Sequence, residues 1–364
     1  MKPPIPPHIL ELEPYRPGRP IEEVERELGI RAIKLASNEN PLGPSPLALE
    51  AIRRALADVH RYPDGSGVVL RAALAERLGV ESDRVLLGNG SNELIELVVR
   101  TFVGPGEQVV FSEGAFLIYD LVARTCRAEP VEVAAKGFSH DLEAIAAAVG
   151  ERTRVVFLAN PNNPTGTIFR RAEWHAFLDR IPAGVIVAVD QAYAEYACDP
   201  EYPDAICDLE RHPGVLVLRT FSKIYGLAGL RIGYAAGSRE LIDAMARVRA
   251  PFSVNSLAQA AALAALSDED HVERSRRTAW QGLRMFAEAF SELGLEFVPS
   301  QANFVLVDVG DGARVATAML QHGVIVRPMN AYRMPSMIRV TAGTEEENRR
   351  CIEVLRQVLS EENR

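Results

Sequence analysis

Three polar groups stand where the sequence has just finished an apolar run: Asn160 after RVVFLA, Asp190 at the end of VIVAVD, and the pair Ser222 and Lys223 after VLVLRTF. An amide, a carboxylate and an amine brought by separate strand ends to one rim is the arrangement that open α/β sheets present to ligands. The amine is the most informative of the three. Lysine occurs only at Lys2, Lys34, Lys136 and Lys223 among 40 basic residues, and arginine is used everywhere else. A guanidinium is not deprotonated in practice, so a step that needs a nucleophilic amine must keep lysine even in an arginine-rich chain. Asp190 closes an apolar strand, where a carboxylate is costly unless a cation or hydrogen bonds compensate it. A strand-end aspartate capping a turn is the plainer alternative. Tyr193, three residues on, needs a polar partner for its hydroxyl if it is buried.

One glycine-rich stretch could hold an anion, and a second gathers reactive groups. GNGSNELIELVVRTF puts Gly88, Gly90, Ser91 and Asn92 at the start of an apolar-periodic helix. Backbone N–H groups, the helix dipole and glycines that allow close approach make an anion site there, although an ordinary N-cap reads the same way. FSKIYGLAGLRIGY (Phe221 to Tyr234) combines a hydroxyl, an amine, glycines and Arg231 in one run. NPNNPTG (Asn160 to Gly166) is dense turn chemistry, with Pro161 and Pro164 constraining the backbone directly after a strand.

The elements that must position these groups follow from periodicity. Apolar runs predict strands at Gln108 to Phe111, Arg154 to Ala159, Val185 to Val189, Val215 to Arg219, Arg231 to Ala235 and Phe304 to Val307. Most are valine-rich and do not alternate, as in sheets covered on both faces. Helical spacing predicts Leu47 to Val59, Asn92 to Val103, Asp141 to Val149, Ser256 to Leu266, Asp270 to Leu293 and Thr344 to Leu359, the last opened by a Thr344 and Glu347 capping box. Strands followed by helices indicate an α/β protein. Since single cores stop growing at about 250 to 300 residues, we expect an N-terminal arm over 1–35 laid on a surface, a large domain over 36–255 and a smaller C-terminal domain over 256–364.

Composition removes several function classes. A net charge of −9 lacks the basic face that nucleic-acid binding requires. Cys126, Cys198, Cys207 and Cys351 form no CxxC pair, so neither a metal site nor a disulfide framework is expected. Prolines interrupt the N-terminal region, and no run of about 18 apolar residues occurs, so no membrane span is expected and the cytoplasm is the expected compartment.

Together, NPNNPTG, DQAY (Asp190 to Tyr193), TFSK (Thr220 to Lys223) and GLAGLRIGY (Gly226 to Tyr234) resemble the fold type I aminotransferases that depend on pyridoxal 5′-phosphate, and among them the histidinol-phosphate aminotransferase family. The similarity extends through IKLASNENPLGPSP, RYPDG, GNGSNE, ANFVLVDV, GVIVRP and IRVTAGTEEEN, in the family's order. It implies a large domain with a mostly parallel mixed sheet flanked by helices, plus a smaller α+β domain. It also implies a homodimer acting on a small amino donor and a 2-oxo acid acceptor.

Residue by residue, the resemblance implies that Lys223 holds the cofactor as a Schiff base and later moves a proton. Asp190 would pair with the pyridinium nitrogen, and Asn160 and Tyr193 would hydrogen-bond the phenolic oxygen. Gly90, Ser91, Asn92, Ser222 and Arg231 would hold the phosphate, with Tyr62 reaching it from a second subunit. Phe116 would stack on the ring, although EGAFLIY departs from the family's commoner wording here. Arg327 and Arg339 match the substrate-anion arginines. Tyr15 from the arm, reaching across the dimer, and Asn38 would add substrate contacts. MNAYRMP (Met329 to Pro335) also departs from the family pattern, and its Arg333 either joins the anion pocket or is a solvated loop residue. Transfer between histidinol phosphate and 2-oxoglutarate is the leading expectation. An aromatic or broad-range aminotransferase is the alternative, followed by a threonine-phosphate decarboxylase-like enzyme or a non-catalytic ligand-sensing domain.

Overall fold

A computed structural model describes residues 4–14 and 18–362. The apolar runs assemble into one sheet of seven strands: β1 (Val85–Gly88), β2 (Gln108–Ser112), β3 (Glu129–Val133), β4 (Thr153–Ala159), β5 (Ile186–Asp190), β6 (Val215–Thr220) and β7 (Gly233–Gly237). Their spatial order is β1-β7-β6-β5-β4-β2-β3. Every neighbouring pair is parallel except those made by β7, which runs antiparallel to both β6 and β1.

Unbroken valine runs work here because each strand faces a core on both sides. Val109, Val155, Phe157, Ile186, Ala188, Leu216 and Leu218 enter one apolar cluster. The residues between them, including Val110, Val156, Leu158, Val187, Val189 and Val217, enter another. Side chains alternate across the pleat, so an all-apolar strand buries both sets. Each fully buried side chain of this size contributes about 1.5–3 kcal/mol.

The expected strands are present to within about two residues, the usual uncertainty of element ends. Two further strands join the sheet. β1 is a four-residue strand, and β3 is a half-exposed edge strand containing Glu129, Pro130 and Glu132. The helix expected over Leu47 to Val59 ends at Ala55 and tightens into a 3₁₀ turn over Leu56–Asp58. Arg231 lies outside β7, in a left-handed conformation that closes the preceding turn. Within the expected arm, Pro7–Leu10 is a short helix beside the helix Ile118–Thr125. Ile21–Leu28 is a second helix, anchored by buried Val24.

A smaller antiparallel sheet holds Arg327–Pro328, Met337–Thr341, Phe304–Asp308 and Phe297–Val298, in that order. Its apolar cluster includes Phe286 and Phe290 from the long helix Glu269–Glu292, together with Ile33 and Leu35. The helix Ser256–Leu266 instead belongs to the cluster containing Ala48 and Leu70, beside the large sheet. The final helix opens with the expected capping box: the Thr344 N–H donates to Glu347 Oε2 at 2.7 Å, and the Glu347 N–H donates to Thr344 Oγ1 at 3.3 Å.

Candidate active site

Parallel register puts the working ends of the central strands side by side. Ala159 of β4 pairs with Asp190 of β5, and Asp190 pairs with Leu218 of β6. The end of β5 and the loops that follow the strands deliver Asp190, Tyr193, Ser222 and Lys223 to one cavity of about 220 Å³. Ser91, Asn92, Phe116, Arg231, Arg327, Arg339 and Asn38 line the same cavity. It adjoins a second space of about 620 Å³, which shares Phe116 and Arg327 and is walled by Glu11 to Pro14 of the arm.

Asp190 is 6% exposed. Its carboxylate accepts from the Tyr119 hydroxyl at 2.9 Å and from the Ala192 N–H at 3.2 Å. Burial pushes this carboxyl above its ordinary pKa, against the opposing pull of those two hydrogen bonds and the Lys223 charge. Tyr119 was not among the candidates from sequence. It lies fully buried three residues after Phe116 and stacks on Phe157 at 4.6 Å. Lys223 Nζ donates to the Ser37 carbonyl at 3.1 Å and lies 5.5 Å from the centre of the Tyr193 ring. Tyr193 is buried, and burial raises its phenol to about 12, so the hydroxyl keeps its proton at neutral pH.

The helix Ser91–Phe102 begins with no side-chain cap, at Gly90, whose positive φ (79°) favours glycine. A Cβ at Gly90 would run into Arg231 Nη2. Arg231 Nη1 donates to Ser222 Oγ at 3.2 Å and to the Ala228 carbonyl at 3.1 Å. A helix N-terminus, a guanidinium and a hydroxyl therefore converge, the missing side chain at Gly90 letting the guanidinium lie against the helix start, which suits an anion.

Asn160 is placed differently from its expected role. Its amide is spent on the main chain of Phe169, with Oδ1 accepting from the Phe169 N–H at 3.1 Å and Nδ2 donating to the Phe169 carbonyl at 3.3 Å. The cavity is lined instead by Asn163, the asparagine next to Pro164 in the same turn. Asn163 Oδ1 accepts a hydrogen bond from Arg339 Nη1.

Arg327 and Arg339 face each other across adjacent antiparallel strands. Like charges directly opposite are destabilising in a sheet. Arg339 is only 6% exposed, donates to the Ala36 carbonyl at 2.8 Å, and lies 5.1 Å over the Phe304 ring. Its Nε has no hydrogen-bond partner among the described residues. A buried guanidinium held only by neutral oxygens is poised for an external anion. Arg333 lies at the rim of the larger space, 72% exposed at its side chain and paired with Glu132 at 2.9 Å. Tyr62 is 83% exposed and stacks on Phe252, away from this chain's own cavity. Tyr15 lies outside the described residues.

The family model for aminotransferase class I and II matches residues 30–355. A histidinol-phosphate aminotransferase of Nitrosococcus oceani is 52% identical, covering 96% of this chain and 95% of that protein. One from Pseudomonas aeruginosa is 51% identical, with 97% of each covered. Among solved structures, the histidinol-phosphate aminotransferase of Sinorhizobium meliloti in complex with pyridoxal-5′-phosphate superposes with a TM-score of 0.89 at 31% identity, covering 99% of both chains. A Thermus thermophilus aspartate aminotransferase superposes at 0.85 with 26% identity, covering 97% of this chain and 99% of that one.

Proposed function

This chain belongs to the class I and II aminotransferases, and on that premise we propose that it moves the amino group of L-histidinol phosphate to 2-oxoglutarate, giving imidazole-acetol phosphate and L-glutamate. It is an aminotransferase, and its cofactor is pyridoxal 5′-phosphate. When bound, that cofactor supplies an aldehyde for amine exchange and a ring that accepts the electron pair left on the substrate carbon.

The residues present fit the group. The chain offers an amine at Lys223 and, in the same cavity, a buried carboxylate at Asp190 whose raised pKa marks a charge wanting a cation. The cradle of Ser91, Asn92, Ser222 and Arg231, whose guanidinium a Cβ at Gly90 would displace, suits the phosphate. In this reading Lys223 Nζ anchors the cofactor and moves the proton that must leave one carbon and arrive at another. Asp190, its oxygens oriented by Tyr119 and the Ala192 N–H, would pair with the ring nitrogen and keep it protonated. Tyr193 donates toward the phenolic oxygen. Asn163, in the same cavity and with Oδ1 occupied by Arg339, has Nδ2 left and would donate to that oxygen as well. Phe116 covers the ring face. Arg339, Arg327 and Tyr15 would serve the substrate end.

The observation that carries the substrate reading is Arg339, a buried guanidinium that meets no carboxylate among the described residues, beside Arg327 in the cavity that holds Lys223. Full-length identity near 50% to histidinol-phosphate aminotransferases supports the same substrate. Purified protein given 2-oxoglutarate should form glutamate faster with histidinol phosphate than with phenylalanine or tyrosine as donor. A preference for the aromatic donors would overturn the substrate assignment and leave the transamination intact.

The site also needs a second copy of the chain, bringing Tyr62 to the phosphate cradle from across a homodimer. The apolar face that carries Tyr62 supports this arrangement, with Leu56, Val59, Val68 and Val69 each more than half exposed. An arm over 1–35, a cofactor-binding part over 36–255 and a C-terminal part over 256–364 carrying both arginines would divide the work. No helix of the described residues is long and apolar enough to cross a membrane. Free cysteines suit the cytoplasm as the place of action.

A further inference from the structure

We propose that Asn38 is a positioning residue that directs the Tyr193 hydroxyl proton into the cavity, and that Thr341 sets the orientation of Asn38, an inference that rests on the aminotransferase reading above. Asn38 is 1% exposed and adopts a left-handed backbone conformation (φ 56°). It joins three parts of the chain that are distant in sequence. Its N–H donates to Thr341 Oγ1 at 3.0 Å, its carbonyl accepts from Asn303 Nδ2 at 3.1 Å, and its Nδ2 donates to the Tyr193 hydroxyl at 2.9 Å.

The direction of these bonds is set at the threonine. Thr341 Oγ1 accepts from the Asn38 main chain, and its single hydrogen goes to Asn38 Oδ1 at 3.1 Å. The amide therefore turns its oxygen to Thr341 and its NH₂ to Tyr193. A phenol that accepts from the amide cannot donate back to it. Its hydrogen has no protein acceptor among the described residues, and the remaining direction is the cavity shared with Lys223 and Asp190. Thr341 lies two residues from Arg339 on one strand, so both side chains leave the same face. The strand that offers the buried guanidinium thus also orients the donor next to the reacting amine.

The test uses holoenzyme and reads a protonation midpoint rather than turnover. A proton directed at the cofactor's phenolic oxygen stabilises that oxygen as an anion and holds down the midpoint of the lysine–cofactor linkage, which visible absorbance follows. Asn38→Asp replaces the NH₂ with an acceptor, which takes the Tyr193 hydrogen for itself. The midpoint should rise by about one to two pH units, the loss expected for a hydrogen bond to a charged group. Thr341→Val frees the amide to turn over, and should raise the midpoint by less.

In a Tyr193→Phe background, Asn38→Asp should add no further shift. An unchanged midpoint in cofactor-loaded Asn38→Asp would overturn the proposal. So would a shift that persists without the Tyr193 hydroxyl, since that shift would come from the new charge alone. If Asn38→Asp does not fold, Thr341→Val decides: a raised midpoint supports the proposal and an unchanged one overturns it. Wild-type protein that gives no visible band with pyridoxal 5′-phosphate would instead overturn the cofactor assignment, and this inference with it.

Discussion

The rim of the large sheet and the face around Tyr62 follow opposite rules. At the rim, most of the polar groups find partners within the chain: buried Asp190 with Tyr119, buried Tyr193 with Asn38, and the more exposed Arg231 with Ser222. On the other face, large apolar groups stay largely in solvent: Tyr62, which stacks only on half-exposed Phe252, and Val68 and Val69 are 83%, 61% and 66% exposed. Chemistry needs groups held in place before the substrate arrives, and one chain supplies that at the rim. Exposed large apolar side chains cost solubility unless another surface covers them, which is why the proposed dimer would pair through that face.

The contrast breaks most sharply at Lys223. Lys223→Ala should lower turnover by about three orders of magnitude or more, because anchor and acid–base are lost together. Far-ultraviolet circular dichroism should stay unchanged, and retained turnover would remove the rim from the chemistry. Next in size, Leu56→Arg combined with Val69→Arg should reduce the mass in solution to that of one 39.9 kDa chain. The same change should weaken cofactor binding about tenfold, as expected for a lost charge-assisted contact from Tyr62. A dimer that survived both charges would put the interface elsewhere.

A smaller effect separates stability from function within the rim itself. The folded apoprotein holds the Asp190 proton more tightly than the unfolded chain does. Its contribution to stability is complete below the ordinary aspartate pKa and is lost as pH rises through the elevated value. Asp190→Asn should therefore make the apoprotein more resistant to denaturant at neutral pH while abolishing transamination, and urea titrations across pH would read the difference. The smallest effect comes from a helix end that lines neither region. Thr344→Ala removes one half of a capping box and should cost about 1 kcal/mol in denaturant unfolding, with turnover unaffected.

The central strands were legible because a strand buried on both faces must be apolar throughout, and chemistry at its end then stands out. β3 was not, since an edge strand with one wet side carries Glu129 and Glu132 and tolerates Pro130. β1 is only four residues long, too short for any period to register. In NPNNPTG the sequence offers several amides in one turn, and periodicity does not say which one faces the ligand. The hydrogen bonds of Asn160 to Phe169 settle where that amide points. Tyr119 escaped notice because its partner lies 71 residues away. The rule that a buried phenol needs a polar neighbour would have raised the question without naming Asp190. Asn38 was read as a substrate contact, and its bond to Tyr193 depends on loops that only the fold brings together.

The loop that carries Lys223 has one consequence for how freely this stretch can vary. At Gly226 (φ 68°) the main chain lies directly on that of Gly43 and Pro44, and a Cβ would run into the Gly43 carbonyl oxygen. Three residues later, Gly229 has no such neighbour within 4 Å. Two glycines that look interchangeable in a motif thus carry very different tolerances. Alanine at 229 would only stiffen the unfolded chain, whereas any side chain at 226 would lever the lysine loop off the segment whose Ser37 carbonyl holds the amine.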